Sequence, residues 1–165
     1  MKVLIVYDTL HGNTKTVAEQ IGEGLKSAEG NTVSVENMKE VDIEKDESFD
    51  LILIGSPNHA KSHTKTVKKF IEDLSNASLK GNSFAAFDTY MGKDFEIAST
   101  KMEEQITEVL PNMKKMSSGL SIKVGGMKGP IVDEDLPKCK EFGIKLANKF
   151  KFLFFLLLII EFQEN

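Results

Sequence analysis

The chain has 165 residues, 41% hydrophobic and 28% charged, which gives one globular domain rather than two domains or a disordered chain. Its 21 basic and 25 acidic residues leave a net charge of −4, which argues against a nucleic-acid partner. A single cysteine, Cys139, excludes a disulfide framework and a Cys-rich metal site.

Taken in chain order, the pattern alternates strand and helix. Met1 leads straight into Val3-Leu4-Ile5-Val6-Tyr7, an apolar run that predicts a strand buried on both faces. The absence of a charged leader before it predicts a cytoplasmic protein. Val17, Ala18, Ile21 and Leu25 mark one face of a helix over 14–28, stopped by Gly30-Asn31. Val33-Ser34-Val35 alternates as a half-exposed strand does, and after an acidic stretch Leu51-Ile52-Leu53-Ile54 gives a second buried strand. Val67, Phe70, Ile71 and Leu74 follow at helical spacing.

The second half repeats the theme. Phe84-Ala85-Ala86-Phe87 reads as a buried strand, and Met102, Ile106, Val109 and Leu110 mark a helix that Pro111 helps to end. Leu120-Ser121-Ile122-Lys123-Val124 alternates. Cys139, Phe142, Leu146, Ala147 and Phe150 form the apolar stripe of a last helix, with Asp135 as its expected cap and Cys139 as a core thiol.

Five strands alternating with helices predict an α/β fold, a doubly wound parallel sheet covered on both faces. The first, third and fourth strands are apolar throughout and belong at the centre; the second and fifth alternate and belong at the edges. Order 2-1-3-4-5 satisfies this, and it places the ligand site beyond the carboxyl ends of the first and third strands.

The turn after the first strand is Asp8-Thr9-Leu10-His11-Gly12-Asn13-Thr14. Hydroxyls, a glycine turn and a helix N-terminus make a phosphate nest, though a plain strand-to-helix turn has the same composition. All 21 basic residues are lysine, so any phosphate here rests on backbone N–H groups, hydroxyls, a lysine or a histidine. Asp8 would repel a dianion unless turned away, and it is expected to be structural. Gly55-Ser56-Pro57-Asn58-His59-Ala60-Lys61-Ser62 has the context of a P-loop but carries Ala60 where that motif needs glycine. Lys61, Lys65, Lys68 and Lys69 read as a solvated face or a docking patch, and His63 as a surface residue at a helix start. No spacing of histidines and carboxylates suggests a metal site.

Leu4-Ile5-Val6-Tyr7-Asp8-Thr9-Leu10-His11-Gly12-Asn13-Thr14 resembles the first strand and phosphate loop of flavodoxins, in the Tyr-Asp-Thr form of the flavodoxin modules of flavo-diiron proteins. Phe49 to His59 resembles the third strand and second flavin loop, and Ala86-Phe87-Asp88-Thr89-Tyr90-Met91-Gly92 the fourth strand and third flavin loop. The resemblance covers about residues 2–150, and residues 1–150 are expected to form the FMN-binding domain. It implies a flavodoxin-like three-layer sandwich with FMN as cofactor. Thr9, Leu10, His11, Gly12, Asn13 and Thr14 would then meet the phosphate end. Ser56, Pro57, Asn58 and His59 would line one side of the isoalloxazine, and Asp88, Thr89, Tyr90, Met91 and Gly92 the other, with Tyr90 stacked on the ring. His59 is equally placed to cap the following helix.

The second loop lacks glycine, and Asn58 is its residue best able to take a left-handed backbone. The implied function is electron transfer on bound FMN between redox partner proteins, with no catalytic side chain. The alternatives are an FMN-dependent NAD(P)H:quinone reductase and a flavin-free module of the same fold. Residues 151–165 are left as a hydrophobic tail beyond the last helix. Its nine apolar residues from Phe152 to Ile160 fall far short of a span and leave three readings open: a subunit or crystal contact, a weak membrane-interface contact, which is not favoured, or a terminus foreign to the family.

Overall fold

The computed structural model describes residues 1–163. Ten elements follow in order: β1 (Lys2–Tyr7), α1 (Asn13–Lys26), β2 (Thr32–Asn37), β3 (Ser48–Pro57), α2 (Lys65–Leu74), β4 (Lys80–Tyr90), α3 (Ile97–Val109), β5 (Lys114–Lys115), β6 (Leu120–Lys123) and α4 (Leu136–Gln163). The strands form one sheet in the order β2-β1-β3-β4, all pairs parallel, with β5 and β6 both on the outer side of β4.

The predicted order therefore holds, with one difference at the edge. The fifth position is two short strands. β5 pairs with Ser83–Phe84 and β6 with Phe87–Tyr90, so both continue the same edge of β4. Met116 N–H still reaches the Phe84 carbonyl at 2.8 Å before the chain leaves the ladder and rejoins it at Leu120.

Side chains of each strand alternate between two apolar layers, as the pleat requires. Val3, Ile5, Leu51, Leu53, Ala85 and Phe87 pack with Val17, Ala18, Ile21 and Leu25 of α1 and with Cys139, Leu146 and Ala147 of α4. Leu4, Val6, Ile52, Ile54, Phe84 and Ala86 face the other way, onto Val67, Phe70, Ile71 and Leu74 of α2 and Met102 and Ile106 of α3. Helices α1 and α4 cross at Gly24 and Gly143, where a Cβ on either would overlap the other helix's backbone. Burial pushes the Cys139 thiol up to about 12, so it is an inert part of this layer.

Two expectations for α4 change. Asp135 does not act as a simple helix cap: its carboxylate accepts the Lys123 N–H of β6 at 2.8 Å and pairs with Lys138, fastening β6 to the start of α4. Of the expected 151–165 tail, residues 164–165 lie outside the described residues, and Phe152 to Gln163 do not lie beyond the last helix. They are the continuation of α4, which runs without a break to Gln163.

Candidate functional site

The carboxyl ends of β1, β3, β4 and β6 open into a cleft of about 590 Å³, at the switch point that the strand order predicts. Four loops wall it.

The first loop joins β1 to α1. Thr9, Leu10, His11, Asn13 and Thr14 line the cleft, while Gly12 forms the turn behind them. Gly12 sits at φ +85°, a left-handed backbone that glycine alone takes without penalty, and it is the N-cap of α1. A glycine has no side chain with which to cap, so none satisfies the first N–H groups of α1. Gly12 N–H itself donates to Thr9 Oγ1 at 2.9 Å, which holds the loop closed. The Thr14 hydroxyl is turned inward and pairs with Thr89 Oγ1 at 3.0 Å, tying this loop to the end of β4. Asp8 also points inward. Its carboxylate accepts the Thr64 hydroxyl at 2.6 Å and the Thr9 N–H at 3.0 Å, away from any anion in the cleft.

The second loop follows β3. Pro57, Asn58, His59, Ala60 and Lys61 line the cleft; Ser56 does not. The Ser56 hydroxyl is fully buried, accepting Thr64 N–H at 3.0 Å and donating to the Pro57 carbonyl at 2.9 Å. His59 and Ser62 exchange two backbone hydrogen bonds, of 2.8 and 3.1 Å. Between them Ala60 and Lys61 both take positive φ, 51° and 60°. This is the geometry of a type I′ hairpin turn, built here without glycine. The left-handed residues are thus Ala60 and Lys61, not Asn58. His59 is exposed on the cleft wall and caps nothing, since Thr64 is the N-cap of α2.

Asn58 carries the informative atom of this loop. Its N–H donates to the Thr89 carbonyl at 2.7 Å, and its Nδ2 faces the Asp94 carbonyl at 3.4 Å. Because a carbonyl only accepts, that contact fixes which way the amide points. Asn58 Oδ1 is then left buried with no hydrogen-bond partner.

The third loop follows β4. Thr89, Tyr90, Met91 and Asp94 line the cleft; Asp88 and Gly92 do not. Tyr90 meets Phe95 edge to face, centroids 5.6 Å apart and planes at 70°, which fixes its ring, and burial raises its phenol. Gly92 makes the turn at φ +69°. Asp88 is wholly buried beneath the loop. It accepts Ser99 N–H at 2.7 Å and the Ser121 hydroxyl, joining β4 to α3 and β6. Desolvation raises its carboxyl above the usual range despite those bonds.

The fourth loop was not anticipated. Val124, Gly126 and Met127 close the remaining side, in a hairpin pinned by the Val124–Ile131 bridge and by Gly125 N–H to the Pro130 carbonyl at 2.8 Å. A Cβ on Gly129 would collide with the Asn13 amide, so this hairpin lies directly against the start of α1. The run Gly125-Gly126-Met127-Lys128-Gly129-Pro130 was its available signal.

His63 departs from its expected place on the surface. It is half buried between α2 and α3, with Nε2 at 2.7 Å from Gln105 Oε1. Gln105 Nε2 donates to the Lys68 carbonyl at 3.0 Å, so Oε1 is the acceptor and the imidazole proton sits on Nε2. Nδ1 is buried and unpartnered, and desolvation lowers the ring's pKa.

Residues 4–122 match the family described as the flavodoxin domain. The chain belongs to the flavodoxin family. It is 37% identical over 73 residues to a flavodoxin of Aquifex aeolicus (strain VF5), a match covering 44% of this chain and 40% of the relative. It is 33% identical over 89 residues to a flavodoxin of Clostridium saccharobutylicum, covering 54% of this chain and 56% of the relative. These two matches therefore span about half the length of the curated relatives. Among solved structures, a flavodoxin from the domain Archaea superposes with a TM-score of 0.73 at 30% identity, covering 92% of this chain and 99% of that one. The three loops that carry the sequence resemblance converge on one cleft.

Proposed function

We propose that this chain binds FMN in the cleft and carries electrons between redox proteins. The observation that carries the reading is the buried, unpartnered Asn58 Oδ1 in the cleft wall. An orphaned acceptor of this kind costs about 1–3 kcal/mol, and a ligand N–H removes that cost. The isoalloxazine offers such a donor. The rest of the cleft fits the same ligand: its volume lies in the range of small-molecule sites, and the uncapped start of α1 suits a phosphate.

In this reading the Thr9–Thr14 loop and the α1 N-terminus hold the phosphate without any cationic fork. Tyr90, braced by Phe95, would meet one side of the ring, and the Asn58–Lys61 segment would meet the other. Bound FMN would supply the electron chemistry. The side chains exclude water and set hydrogen bonds, and none acts as acid, base or nucleophile. The low-lying Asp8 carboxylate stays out of the phosphate's field because Thr64 and the Thr9 N–H hold it.

The test is titration of the apoprotein with FMN and with riboflavin, followed by anaerobic reduction. Tight FMN binding with a weaker riboflavin complex, and reversible electron uptake without turnover of NAD(P)H, is the expected result. Equal affinity for the two flavins overturns the phosphate assignment. Rapid NAD(P)H oxidation with a quinone acceptor overturns the carrier role in favour of a reductase.

A further inference from the structure

We propose that the end of α4 is a self-association element, in which two copies of this chain lay their 151–161 segments side by side and antiparallel. Helix α4 spans 28 residues, and only its first half packs on α1 and the sheet through Cys139, Leu146 and Ala147. From Lys151 onward every described side chain is exposed, including Phe152 at 62%, Phe155 at 62% and Phe162 at 85%. This part of the helix is apolar on all sides, a composition that stable helices show only when something covers them.

The occupant is indicated by the spacing of the charged ends. Lys151, Phe154, Leu158 and Glu161 fall at i, i+3, i+7 and i+10, so they lie in one stripe along the helix. Turned end for end about its centre, the stripe matches itself. Lys151 of each copy meets Glu161 of the other, and Phe154 meets Leu158. That is the self-complementarity that a two-fold interface demands. A bilayer is a poorer match. The apolar stretch between the two charges rises about 15 Å, half of the ~30 Å hydrocarbon layer, and carries a charge at each end. Among the described residues no helix is long and apolar enough to cross a membrane.

The experiment is sedimentation equilibrium of the full chain across the micromolar range, with substitutions confined to the exposed stripe. The intact protein is expected to associate reversibly, and Leu158→Glu to be monomeric at the same concentrations. Lys151→Glu and Glu161→Lys should each weaken association, by about tenfold if both symmetry-related ion pairs contribute. The double variant Lys151→Glu/Glu161→Lys restores the pairs in reverse and should return to within about threefold of the parent, on the same ion-pair arithmetic. A monomer throughout, association unmoved by Leu158→Glu, or a double variant weaker than either single overturns the proposal. So does a protein that is monomeric alone but pellets with phosphatidylcholine/phosphatidylglycerol vesicles, which would make the helix a lipid contact.

Discussion

Replacing Thr64 with valine should destabilise the protein far more than its size suggests. Thr64 is buried at 8% exposure and takes the extended conformation of an N-cap, φ −67° and ψ 159°. Its hydroxyl does two things at once. It accepts Val67 N–H at 3.3 Å, capping α2, and it donates to Asp8 Oδ2 at 2.6 Å. Valine keeps the shape and removes both. Loss of a cap costs ~1 kcal/mol. Leaving a buried carboxylate oxygen without its donor costs a further ~1–3 kcal/mol. Urea unfolding should therefore show Thr64→Val less stable by about 2–4 kcal/mol, at an unchanged m-value. Thr64→Ser, which keeps the hydroxyl, should lose only about 1 kcal/mol, the scale of one buried methyl. A double-mutant cycle with Asp8→Asn should give a coupling of at least ~1 kcal/mol, since the two side chains are in direct contact. If Thr64→Val matches Thr64→Ser, the hydroxyl has no such double role and the account of Asp8 as a tethered, inward-facing carboxylate fails.

Other substitutions probe the rest of the site. Lys61→Gly should raise unfolding free energy by about 0.5–1 kcal/mol by relieving a left-handed residue, and Lys61→Val should lower it by about 1 kcal/mol; the reverse order in urea melts contradicts the type I′ assignment. His63 has its folded pKa below the ordinary 6.5, so the unfolded chain takes up its proton first as pH falls. Stability should thus be intact above pH ~6.5 and decline below it, and His63→Gln should flatten that decline; an unchanged pH profile in the variant refutes the buried, unprotonated ring. Tyr90→Ala should weaken FMN by about 0.5–1.5 kcal/mol beyond lost area while leaving the urea midpoint nearly unchanged, and an unaltered flavin affinity would remove Tyr90 from the ring contact.

The sheet was legible because its strands differ in kind. Val3–Val6, Leu51–Ile54 and Phe84–Phe87 are apolar on both faces and occupy the centre, whereas the alternating 33–35 and 120–124 segments occupy the edges. The broken edge was not legible, since β5 is Lys114–Lys115, two exposed lysines with no apolar residue to mark a strand, placed by pairing with Ser83–Phe84 and by the ion pair of Lys115 with Glu103. Loop positions were readable as a set, but side-chain direction was not. Ser56 and Asp88 are still within β3 and β4 and point inward by strand parity, so they brace the cleft from below instead of lining it. His63 looked like a surface residue because its partner, Gln105, is 42 positions away. The last helix was cut short at its amphipathic part, because a uniformly apolar continuation carries no period to follow.

What those inward side chains have in common explains how a glycine-poor loop can wall the cleft. Three of the four cleft walls are fastened to other elements by buried polar bonds. Asp8 and Ser56 both hold Thr64, so the loops after β1 and β3 share one anchor at the start of α2. Thr14 is joined to Thr89, and Asn58 N–H to the Thr89 carbonyl, so the first loop and the second loop are both registered against the end of β4. Asp88 in turn locks β4 to α3 and β6. With the walls fixed by these bonds, Ala60 and Lys61 can be kept in a backbone conformation that neither would adopt alone, each at a cost of about 1–2 kcal/mol. The strain lies in an exposed turn of the cleft wall, and the bonded residues beneath it are what prevent its release.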